Sequence, residues 1–84
     1  MRTVHKYEIG DDTTVSIPRG AQLLCVAMQR REPQLWAMVE TTQPLEQRRF
    51  CIFGTGQGVI ERPVAYVGTL HFDGLVFHAF EMKA

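Results

Sequence analysis

Asp73-Gly74 stands between two runs rich in β-branched and aromatic residues, Val64–Phe72 and Leu75–Glu81. A two-residue connection of this kind is a β-hairpin turn whose central residues must both accept φ > 0. The turn fixes a register. Phe72 falls opposite Leu75, Leu70 opposite Phe77 and Gly68 opposite Ala79. These six are apolar or small, so their face is expected to be core. The other face pairs His71 with Val76, Thr69 with His78, and Val67 with Phe80.

The rest of the chain reads the same way. Strand signals cover Thr3–Ile9, Thr13–Ile17, Gln22–Gln29, Gln34–Glu40 and Gln47–Phe53, separated by turn-forming residues. Gly10-Asp11-Asp12 between the first two suggests a hairpin. Gln22–Gln29 has apolar groups on both faces, which predicts a central strand covered on both sides, with a helix as the competing reading because Leu, Ala, Met and Gln favour helices. Trp36 and Met38 share one face of the fourth strand, while Leu35, Ala37 and Val39 share the other. With no stretch left for a crossover helix, parallel pairing is disfavoured. The expected fold is a single all-β domain over residues 1–84. It is an antiparallel sandwich or small barrel of about seven short strands.

Composition narrows the function. A chain of 84 residues with net charge zero lacks the basic excess of a dedicated nucleic-acid binder, so no sequence-specific nucleic acid is expected. No apolar run approaches the ~20 residues of a membrane helix, and the first residues carry no signal-peptide pattern. So short a chain buries only roughly 60–65% of its unfolded surface. That thin core, with apolar edge strands, predicts a homo-oligomer. Cys25 and Cys51 lie in apolar runs without Cys-x-x-Cys spacing. They are read as two buried thiols, with a disulfide between neighbouring strands as the alternative, and not as nucleophiles or zinc ligands.

Few residues carry chemistry. His71 and His78 become diagonal neighbours on one face of the hairpin, roughly 7–8 Å apart. Two imidazoles without a third ligand make a weak metal candidate, so no metal and no cofactor are expected. Gly54-Thr55-Gly56-Gln57-Gly58 follows a strand but leads into no helix and lacks a P-loop lysine, so it is a turn or, alternatively, a backbone nest for a nucleotide or other anion. Arg48 and Arg49 point to opposite faces of their strand. They read as solvated arginines or as contributors to a recognition surface with Trp36 and Gly54–Gly58. No Ser-His-Asp or Cys-His arrangement can be assembled, so the chain is not expected to be an enzyme.

Several short strings occur in order along nearly the whole chain: Lys6-Tyr-Glu-Ile9, Pro18-Arg-Gly-Ala21, Leu35-Trp-Ala37, Arg49-Phe50, Gly54-Thr-Gly56, Tyr66-Val-Gly-Thr69 and Leu75-Val-Phe-His78. In these the chain resembles a family of small bacteriophage and prophage proteins of unknown function. The resemblance implies expression in the cytoplasm of an infected bacterial host. It also implies a binding module that acts on a host protein, for instance a defence component. A small-ligand or nucleotide binder using Gly54–Gly58 and a minor virion component are the alternatives.

Overall fold

The strands sort into two sheets that share no hydrogen-bonded ladder. A computed structural model describes residues 1–84 and contains seven strands and no helix. These are β1 (Arg2–Glu8), β2 (Asp12–Pro18), β3 (Gln22–Gln29), β4 (Glu32–Glu40), β5 (Leu45–Gly54), β6 (Ala65–Phe72) and β7 (Leu75–Met82). One sheet has the order β1-β4-β3 and the other β2-β5-β7-β6, with every pairing antiparallel. The molecule is a sandwich and not a closed barrel.

The C-terminal hairpin follows the turn chemistry. Asp73 has φ 52° and Gly74 φ 77°, and five of the six pairings set by the turn are present. The sixth differs. A bulge between Tyr66 and Gly68 brings Tyr66 opposite Phe80, and Val67 packs against the core instead of facing outwards. Leu70 and Ala79 are buried as expected, but Leu75 at the turn is 59% exposed. Nothing lies within 4 Å of a Cβ built on Gly74, so a substitution there meets only the backbone penalty. Gly74→Val is expected to destabilise the domain by about 1–3 kcal/mol, with Gly74→Asn much milder because asparagine tolerates this conformation. An unchanged denaturation midpoint in the valine variant would contradict the turn geometry.

Three other expectations are corrected. The first two strands do not pair: β1 lies on β4 and β2 on β5, in different sheets. Gly10-Asp11 is thus a corner between layers, because a buried Ile9 (2% exposed) must dive into the core before β2 begins. β3 is an edge strand, not a central one. Its two apolar faces arise from a bulge between Leu23 and Cys25, which lets both Leu23 and Val26 reach the core and leaves Leu24 exposed. Cys25 is exposed on the outer face of the three-stranded sheet, where it pairs with Trp36. Cys51 is buried on the outward side of the other sheet, so the two thiols are free and cannot meet.

The core lies between the sheets in two clusters. The larger holds Ile9, Val26, Leu35, Phe50, Ile52, Leu70 and Ala79. The smaller holds Ile17, Ala21, Ala37 and Val39. Tyr7, Val15 and Leu23 pack against both.

Candidate functional site

The larger cluster does not fill the sandwich to its end. Where the β1–β2 corner, the β3–β4 turn and the β6–β7 turn converge, a cleft of about 420 Å³ opens between the sheets. Its floor is Ile9, Ile52 and Leu70, all buried. Met28, Phe72 and Phe77, half-buried, line it with Pro33 and Gly10, and Asp11, Arg31 and Glu32 complete it. Inward positions of strands from both sheets meet here: Met28 and Pro33 from one, Ile52, Leu70, Phe72 and Phe77 from the other. An adjoining hollow of about 340 Å³ brings Glu8 beside Glu32.

The β3–β4 turn shapes the mouth. Arg30 (φ 52°) and Arg31 (φ 67°) are both left-handed, a conformation that non-glycine side chains adopt at a cost of order 1–3 kcal/mol. The Arg31 guanidinium stands 4.8 Å from the centroid of the Phe72 ring and reaches Asp73 Oδ2 at 3.4 Å. This contact links the two hairpin turns, and so the two sheets, across the opening. Both side chains are largely exposed, so the ion pair is weak and readily exchanged. Asp11 and Glu32 take part in none of the protein's five ion pairs.

None of the candidate site residues read from sequence lines this cleft, although Leu70, Phe72 and Phe77, read as core, do. Trp36 lies half-buried on the outer face of the three-stranded sheet, between Lys6 and Cys25. Arg48 points inwards. Its Nε and Nη2 donate to the two Glu81 carboxylate oxygens, both at 2.8 Å, and Nη1 donates to the Ala21 carbonyl at 2.7 Å. It is a structural clamp, and the Glu81 carboxylate raises its pKa further.

Arg49 faces the other way and bridges Asp12 and Glu61. This hydrogen-bonded pairing lowers the Asp12 pKa. Cys51, directly opposite Asp12 on the paired strand, has its thiol pushed up chiefly by burial, with the Asp12 charge adding to the shift. A raised thiol is a poor nucleophile. Arg48 is thus held between the sheets, while Arg49 is paired at the surface.

Gly54–Gly58 starts at the same end of the sandwich but on its outside. Gln57 N donates to the Gly54 carbonyl around a left-handed Gly56 (φ 87°), forming a tight turn. The Gly54 amide is taken by Gln57 Oε1 and the Thr55 amide by the Val76 carbonyl. Three of the amides a phosphate nest would use are therefore engaged. His71 and His78 do share the outward face of their hairpin. His78 Nε2 lies 2.8 Å from the Thr55 hydroxyl, and no group of three metal-binding side chains occurs anywhere in the protein.

Sequence reasoning missed the cleft because its parts are scattered over five strands and a corner. One local signal was present: Arg30-Arg31 between apolar runs is itself a two-residue hairpin turn, without the glycine that marks such turns. No curated protein and no solved structure matches the chain. A family model does, over residues 1–84, and the chain therefore belongs to the domain-of-unknown-function family DUF7352.

Proposed function

We propose that the protein is a non-enzymatic binding module that seats apolar side chains of another protein in the cleft between its sheets. We further propose, on the resemblance to small phage and prophage proteins, that it is phage-encoded and acts on a host protein in the infected bacterium. The observation that carries the binding role is the cleft. Of the three hollows on the protein it is the one lined mainly by apolar residues, as ligand sites usually are. Its floor is apolar, and its few polar groups gather at the mouth. Filling the cleft would bury Met28, Phe72 and Phe77 more fully and gain about 25 cal/mol for each Å² removed from water.

The test is a methyl-detected NMR titration with a neutral capped tripeptide, acetyl-Leu-Gln-Leu-amide. Saturable shifts are expected at the Met28, Ile52 and Leu70 methyls, with none at Leu45 or Val4, which lie outside the cleft. Met28→Trp, which fills the opening, is expected to abolish them while leaving the spectrum of the opposite end intact. Shifts spread evenly over the surface, or unaffected by that substitution, would overturn the assignment.

A further inference from the structure

We infer that the occupant of this cleft is cationic as well as apolar: a partner-protein segment in which a basic side chain is flanked by apolar ones. The inference rests on the cleft being a binding site, and it adds the charge of what binds. Three observations carry it.

First, the mouth holds carboxylates without partners. Asp11 and Glu32 line the cleft and Glu8 lines the hollow beside Glu32, and none of the three belongs to an ion pair. At this end the four carboxylates Glu8, Asp11, Glu32 and Asp73 outnumber the two cations of the β3–β4 turn, Arg30 and Arg31. The one cation lining the cleft, Arg31, is matched by Asp73, and Arg30 does not line it.

Second, the wall already accepts a cation. The guanidinium of Arg31 lies against the Phe72 ring at 4.8 Å, within the roughly 6 Å over which a ring face attracts a positive charge.

Third, that internal cation is held loosely. Its contact with Asp73 is long, 3.4 Å, and solvated. An incoming basic side chain can displace it from Phe72 and Asp73 while its apolar neighbours cover Ile52 and Leu70. Arg31 is then a stand-in that occupies the cation position until the partner arrives.

The experiment titrates the whole chain with three capped tripeptides that differ only in the central residue, Leu-Arg-Leu, Leu-Gln-Leu and Leu-Glu-Leu, read at the cleft methyls. The arginine peptide is expected to bind roughly two- to fivefold more tightly than the glutamine peptide, as partly exposed charge pairs allow, and the glutamate peptide more weakly than either. The preference is expected to shrink at high salt, because exposed charges are screened. The double variant Asp11→Asn/Glu32→Gln should reduce the ratio of arginine-peptide to glutamine-peptide affinity. Arg31→Gly, which keeps the left-handed turn and removes the competitor, should strengthen the arginine peptide. Equal binding of all three peptides would overturn the charge preference and leave the cleft as a neutral apolar site. Failure of all three to move the cleft methyls would overturn the binding site itself, and this inference with it.

Discussion

Arg48→Ala is expected to destabilise the domain by about 1–4 kcal/mol, between the loss of a solvated ion pair and that of a fully buried one. The side chains of Arg48 and Glu81 are only 18% and 16% exposed. Deleting the arginine leaves a carboxylate between the sheets with no counter-charge, and strips the Ala21 carbonyl of its donor. A domain of this size has a total stability of roughly 4–13 kcal/mol, so the loss is a large share of it and the Tm is expected to fall by at least about 4 °C. Arg48→Met/Glu81→Met, which removes both charges and keeps apolar volume, is expected to recover most of the loss. Urea denaturation of the three proteins decides the matter. A loss below about 1 kcal/mol in Arg48→Ala would mean a solvated arginine and would return Arg48 to the recognition surface. Charge reversal at Arg48 sets two carboxylates against each other inside the sandwich. A biological effect lost in that variant therefore reports on folding and says nothing about a binding contact.

Arg48 shows where the sequence was legible and where it was not. Strand alternation correctly put Arg48 and Arg49 on opposite faces. It could not say which face was core, because inward and outward are defined by the partner sheet and not by the strand. The neighbours misled in the same way: β5 carries apolar residues on both faces, Phe50 and Ile52 inwards and Cys51 and Phe53 outwards. The Asp73-Gly74 hairpin was readable almost pair by pair, since a two-residue turn dictates register locally. The pairing of β1 with β4 and β2 with β5 was not. The Gly10-Asp11 corner resembles a hairpin turn, and only the packing of Ile9 and Ile17 into separate clusters distinguishes the two. The cleft lay beyond reach for a related reason. Its floor draws Ile9, Ile52 and Leu70 from strands that are distant in sequence, and no motif marks a place where packing stops. The bulges in β3 and β6 were equally silent. Each inserts one residue into an edge strand, as is usual at sheet edges, and each turns a side chain that alternation would have sent outwards.

Gly68→Ala is expected to be the most damaging single-methyl addition in the protein. A Cβ at this position would stand 2.6 Å from Val26 Cγ2, far inside the ~3.5–4.0 Å of a comfortable carbon–carbon contact. Valine has no remote flexible end to move aside, and Val26 is itself buried, 8% exposed. The edge strands β3 and β6 must therefore part, at a cost of about 1–3 kcal/mol. Val26→Ala removes the obstructing methyls. Combined with Gly68→Ala it should be less harmful than the sum of the two single changes by about 0.5–3 kcal/mol, the coupling expected for residues in contact. Strict additivity would show that β3 and β6 do not touch here.

The same variant bears on function. Met28 follows Val26 by two residues on β3, and Leu70 follows Gly68 by two on β6, so the strands that would be pried apart carry two residues of the cleft. Gly68→Ala is thus expected to weaken tripeptide binding at the Met28 and Leu70 methyls although residue 68 itself lies outside the cleft. Restored binding in the double variant would tie the close approach of the two sheets to the shape of the site. A Gly68→Ala protein that is destabilised yet binds the peptide unchanged would separate them, and the cleft would then depend only on the turns that frame its mouth.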